Sequence, residues 1–106
     1  MTDRQNDQPL WDVALEALLM ETFQEDGQPL HMERLRNLAS QHAIRLDDIL
    51  DTLCRLCEEG NWTFADASGQ PSVPDPSLCR LLHANHRLND VQLGRLSGSW
   101  RPNDQA

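Results

Sequence analysis

From Leu10 to Glu25 the apolar residues Trp11, Ala14, Leu15, Leu18, Leu19 and Phe23 recur three or four positions apart. That spacing puts them on one face of an amphipathic helix, which Asp26-Gly27 should end. Gln28-Pro29-Leu30 reads as a short extended link, because a residue before proline is pushed out of the helical region. A second helix follows over about His31 to His42, with Met32, Leu35, Leu38 and Ala39 inward and Glu33, Arg34, Arg36 and Asn37 outward. The tight turn 41–45 carries one apolar plug, Ile44. Leu46, Ile49, Leu50, Leu53 and Leu56 then repeat at helical spacing, with Asp47 and Asp48 in the first turn, where carboxylates suit the positive end of the helix dipole. Gly60 closes this third helix.

Beyond it the period changes from helical to alternating. Trp62-Thr63-Phe64, the turn residues Asp66-Ala67-Ser68-Gly69, and Gln70-Pro71-Ser72-Val73 predict a hairpin, with Pro71 on its edge or just inside the second strand. Asp75 and Pro76 are the N-cap and first residue of a fourth helix running through Leu78, Leu81 and Leu82 to about Asn85. Asn89-Asp90 starts a short fifth helix with Val91, Leu93 and Leu96. The resulting division is a polar leader over 1–9, a domain over 10–73, a helical extension over 74–97 and a flexible tail over 98–106, whose Trp100 either folds back on the core or is offered to a partner.

Composition agrees with a helical reading, since 17 Leu outnumber five Val plus Ile and Tyr is absent. At 106 residues the chain is long enough for one compact domain. No apolar run approaches the roughly 20 residues that span a bilayer, and MTDRQNDQPL lacks the basic-then-apolar layout of a signal peptide. A cytoplasmic protein with no membrane contact is expected, and a reducing compartment would keep its three cysteines as thiols.

The order of helix, extended link, helix, tight turn, helix and hairpin, together with the stretch LDTLCRLCEEGNWTF, resembles the winged helix-turn-helix superfamily over about residues 10–73. The resemblance implies a mainly α fold with a small β-hairpin wing and a C-terminal helical extension. It also implies a DNA reader, a dimerisation module or a protein adaptor, because one scaffold serves all three. Superfamily members often dimerise through such an extension, so a homodimer through the first and last helices is one expectation.

Charge separates these uses. The chain carries 17 acidic residues against nine Arg and no Lys, a net −8, and the whole excess lies in residues 1–60. The third helix, which would enter the DNA groove in a reader, offers Asp47, Asp48, Asp51, Glu58 and Glu59 against Arg45 and Arg55. Carboxylates beside a polyanion repel it and release no counterions. The reading is therefore a small accessory or regulatory protein that binds the basic surface of another protein through Asp47, Asp48, Asp51 and Arg55, with Trp62 at the edge of that surface. The alternative is a sequence-specific DNA-binding transcriptional regulator, dimeric or metal-responsive, that places Arg34, Arg36, Arg45 and Arg55 at the groove. It gains if all four project from one face clear of Asp47 and Asp51.

Other chemistry has less to stand on. Cys54, Cys57, Cys79, His83 and His86 have metal-ligand side chains at helical spacings, but structural zinc sites take a Cys-x-x-Cys from a tight turn. Small half-apolar fillers at a helix contact are the simpler reading, so no metal and no cofactor is expected. Without a nucleophile elbow, a phosphate-binding glycine loop or a His-Glu-x-x-His pattern, no enzyme is expected either.

Overall fold

The computed structural model describes residues 12–103; the leader expected over 1–9, the first-helix residues Leu10 and Trp11, and the tail residues 104–106 lie outside the described residues. Among the described residues are five helices and a four-stranded antiparallel sheet. The described residues are mainly helical, as expected, with a sheet larger than the single hairpin wing.

Helix α1 spans Val13–Asp26, and its N-cap Asp12 accepts a hydrogen bond from the Leu15 amide at 3.1 Å. It buries Leu15, Leu19 and Thr22, and ends at Gly27, whose φ of 69° is the left-handed turn that glycine takes without strain. The extended link becomes strand β1, Leu30–His31. Helix α2, Met32–His42, buries Leu35 and Leu38. It ends on a non-glycine residue in the left-handed region, Ala43 at φ 56°, which lets the Ile44 amide donate back to the Ala39 carbonyl at 2.9 Å. Ile44 is thereby turned onto the core as a half-buried plug.

Helix α3, Leu46–Glu58, is the most enclosed element. Ile49, Leu50, Leu53, Cys54 and Leu56 are all fully buried, each buried Leu or Ile contributing about 1.5–3 kcal/mol against solvent exposure. Gly60, at φ 81°, turns the chain into β2, Trp62–Ala65. The hairpin to β3, Pro71–Ser72, is organised by Asp66, whose Oδ1 accepts from the amides of Ser68 and Gln70 and from the Ser68 hydroxyl. Those bonds, the Ser68 hydroxyl first, hold the Asp66 carboxyl below its ordinary range. Helix α4, Pro76–His83, is capped by Asp75, and the five-residue α5, Asp90–Gly94, by a reciprocal Asn89–Gln92 capping box. The fourth helix stops two residues short of the expected Asn85.

The last described segment departs most from expectation. Instead of a flexible tail, Ser99–Pro102 forms strand β4 inside the sheet, in the order β1-β4-β2-β3. Trp100 is fully buried, faces Leu30 on one side and Phe64 on the other, and meets the Phe64 ring at 4.6 Å between centroids with a 52° tilt. The physical reason is pairing. Both β1 and β2 have backbone groups to satisfy, and β4 satisfies one edge of each while burying the largest side chain of the segment. Asn103 ties down the end of the strand, its Nδ2 donating to the Gly60 carbonyl at 2.5 Å and its Oδ1 accepting from the Thr63 hydroxyl.

Candidate functional site

Two concavities flank α3, and they divide the residues singled out in the sequence. The first is an acidic groove of about 410 Å³ between α1 and α3, lined by Asp12, Ala14, Leu15 and Leu18, by Ile44 from the turn, and by Asp48, Asp51, Thr52 and Arg55. The α3 residues stand at i, i+3, i+4 and i+7, so one helix face supplies that wall. The floor is apolar because Leu15, Leu18 and Ile44 belong to the core or pack against it. The rim carries three carboxylates and one guanidinium.

That one cation is already engaged. Arg55 Nε lies 3.3 Å from Asp51, and Asp51 Oδ1 also meets His83 Nδ1 of α4 at 2.5 Å. The other nitrogen of His83 faces Glu58 at 3.1 Å, so α3 and α4 are clasped at the groove's edge by a chain of four ionisable groups. Asp48, one turn before Asp51 on the same wall, is exposed. It faces solvent with its charge unneutralised by any partner among the described residues.

Of the five residues expected on the docking surface, Asp48, Asp51 and Arg55 line the groove, Asp47 is half-buried beside it, and Trp62 does not belong to it. Trp62 is 2% exposed. In the alternation Trp62-Thr63-Phe64 the two aromatic residues share one face, and the sheet turns that face inward. Sequence reasoning missed Asp12 and the apolar floor as parts of a site, since it assigned Leu15, Leu18 and Ile44 to the core. The signal that could have joined them was the run of acids at 47, 48 and 51, with Asp12 capping the helix that packs beside it.

The four Arg of the alternative reading belong to α2, the N-cap of α3 and the last turn of α3. Arg34 is held by Asp26, with Nε to Oδ2 at 2.8 Å and a second contact at 3.3 Å, a bidentate pairing that keeps the guanidinium more firmly charged than usual. Arg55 is held by Asp51, while Arg36 and Arg45 are exposed. Half of the expected cationic set is thus bound to carboxylates of the chain itself.

The second concavity, of about 310 Å³, lies on the other flank of α3 and gathers Cys54, Cys57 and Cys79 with Trp62 and Phe64. Its cysteines are free thiols. Among the described residues no three His, Cys, Asp or Glu side chains converge as a metal site would require; His83 faces the two carboxylates, and His86 is exposed. The cysteines do what small half-apolar residues do at a helix contact, with Cys54 of α3 and Cys79 of α4 buried together.

Burial pushes the Cys57 thiol up to about 12, Cys79 and Glu58 adding to it. Its hydrogen bond with Cys79, and then burial, raise that of Cys54. A thiol that ionises later in the folded than in the unfolded chain leaves the fold holding more protons above about pH 8.5. The thiol contribution to stability is therefore complete below that pH and declines as pH rises toward 12. Urea unfolding at pH 10 should show a loss of about 2 kcal/mol for each of Cys54 and Cys57, roughly 4 kcal/mol together, relative to pH 7.5, and iodoacetamide at pH 7.5 should label the native chain far more slowly than the urea-unfolded chain. Equal labelling rates would mean that the thiols are not enclosed.

Among the described residues no helix is long and apolar enough to cross a membrane. Comparison of the chain with protein-family models, with curated proteins and with solved structures finds no match.

Proposed function

We propose that this chain is a winged-helix-type adaptor that binds a basic, amphipathic segment of another protein in the groove between α1 and α3. The observation that carries the reading is the groove's composition, an apolar floor of Leu15, Leu18 and Ile44 under a rim of Asp12, Asp48 and Asp51. An apolar floor supplies the water-excluding contact that a docked segment needs, and one sign of charge at the rim steers and selects a basic partner. The winged-helix part of the proposal draws on the element order, with β1 between α1 and α2 and the β2–β3 hairpin directly after α3; β4 is an addition to that order. DNA readout is less well supported, because Arg34 and Arg55 are engaged by Asp26 and Asp51 and α3 starts with two aspartates.

The test is a titration with a synthetic amphipathic helical peptide bearing Arg on one face and Leu on the other, at low and at physiological salt. Binding should weaken with salt, and Asp48→Arg should reduce it by about tenfold, the equivalent of 1.4 kcal/mol. Glu33→Arg makes the same charge change on the exposed face of α2 and should cost less than about half of that in log terms. A random 30-base-pair duplex should not bind. Salt-sensitive duplex binding, or equal effects of the two Arg substitutions, would overturn the proposal.

A further inference from the structure

The thiol-lined pocket takes no part in that docking, and its chemistry is of a different kind. Behind it lie Cys54, Cys57, Cys79, Trp62 and Phe64, three sulfurs and two aromatic rings contributed by α3, α4 and β2, of which Cys57 alone is half-buried and the others are enclosed. At about 310 Å³ it lies at the lower end of the size range of small-molecule sites, which are concave, mostly apolar and oriented by a few polar groups. The polar groups here are few and of one character. Glu58 supplies the one charged side chain of the lining, Thr63 and Ser72 supply hydroxyls, and no Arg or His borders the cavity. The Glu58 side chain is 53% exposed, so its carboxylate stands at the mouth, within reach of solvent. Val73, 76% exposed, also lines the pocket and extends its apolar surface outward.

We propose that this pocket is a binding site for a small aromatic amine, its ring seated on Cys57 and Val73 over the buried sulfurs and rings behind them and its ammonium paired with Glu58. Polarisable sulfur and aromatic edges favour a flat aromatic body over a branched aliphatic one. One carboxylate and no cation favour a positive head over a neutral one and exclude a carboxylate. Both Glu58 oxygens lie near His83 Nε2, at 3.1 and 3.2 Å, and a carboxylate has acceptor capacity for a second donor. The Cys54 and Cys57 thiols act as packing surface in this site and not as nucleophiles, since the hydrogen bond with Cys79 and then burial disfavour the thiolate of Cys54, and burial that of Cys57.

Three probes that share one ring system separate the parts of the proposal: tryptamine, indole and indole-3-acetate. Each is titrated into the full chain and followed by two-dimensional amide NMR. Tryptamine should shift the amides of Trp62, Phe64 and Val73 saturably, indole should bind about tenfold more weakly, and indole-3-acetate more weakly still. Glu58→Gln should bring tryptamine down to the level of indole and leave indole unchanged. Cys57→Leu, which fills part of the cavity, should weaken both. The proposal is overturned by shifts centred on Ile44 and Asp48 instead of the pocket, by equal binding of tryptamine and indole-3-acetate, by Glu58→Gln leaving tryptamine unaffected, or by no saturable binding of any probe.

Discussion

Trp100→Ala should cost about 3–5 kcal/mol, the range for emptying a large buried aromatic site, and should lower Tm by more than about 10 °C in a domain of this size. Trp100 is fully enclosed, faces Leu30 and Phe64 across the sheet, and meets the Phe64 ring at a tilt. Its removal leaves a void in the layer that joins β1 to β2, which rigid neighbours close only in part. Since whole-domain stabilities are about 5–15 kcal/mol, the variant should be close to unfolded at 37 °C. Trp100→Phe should lose less, because it keeps part of the ring contact and removes an indole N–H that is buried without a hydrogen-bond partner. Urea denaturation monitored by circular dichroism measures both. Val91→Ala is the control, for Val91 is 73% exposed and should change stability by no more than about 0.5 kcal/mol. A loss from Trp100→Ala as small as that of the control would mean that β4 is not part of the core.

Gly98→Ala should be nearly as damaging, for a reason that has nothing to do with side-chain packing. A Cβ built on Gly98 would stand 2.8 Å from the carbonyl carbon of Ala65 and overlap its oxygen, with the Asp66 carbonyl carbon at 3.0 Å. These are main-chain atoms where β2 runs into the hairpin turn, beside the Ala65–Ser99 register pair, so no side chain can rotate away to make room. Either β4 shifts from β2 or the turn deforms, and the expected cost is about 3 kcal/mol, at the upper end for overpacking. Gly94→Ala gives the contrast within the same segment. Nothing lies within 4 Å of its Cβ position and it closes α5, so alanine there should be neutral or stabilising by about 0.5–1 kcal/mol. Equal effects of the two substitutions would contradict the close approach at Gly98.

The two substitutions fall in the segment least legible from sequence. The three-to-four spacing of Leu46, Ile49, Leu50, Leu53 and Leu56 identified α3 to within a residue, and Gly60 marked its end, because helix periodicity and capping are local properties. Asp66 to Gly69 announced the hairpin for the same reason. Ser99-Trp100-Arg101-Pro102 carries no such local signal. It is four residues long, contains Arg and Pro, and becomes a strand only because β1 and β2 lie on either side of it. The candidate groove was half legible. Asp48, Asp51 and Arg55 follow from the helix face of α3, whereas the Asp12, Leu15 and Leu18 wall depends on how α1 packs against α3, a tertiary relation that no window of the sequence contains. Trp62 was assigned to the wrong side because alternation fixes which residues share a face but not which face is covered.

The central place of β4 also governs when the domain can form during synthesis. β1 has its ladder partner in β4 alone among the described strands, and β4 is the last of them to be made. While residues 99–102 are still inside the ribosome, the emerged helices can collapse on α3, but the sheet has only its β2–β3 hairpin and the space that Trp100 will fill stands open. At about 5–20 residues per second, elongation leaves that incomplete intermediate exposed for seconds. The domain therefore completes its fold only after release of this last strand, and a nascent-chain binding factor would find Leu30 and Phe64 uncovered throughout that interval.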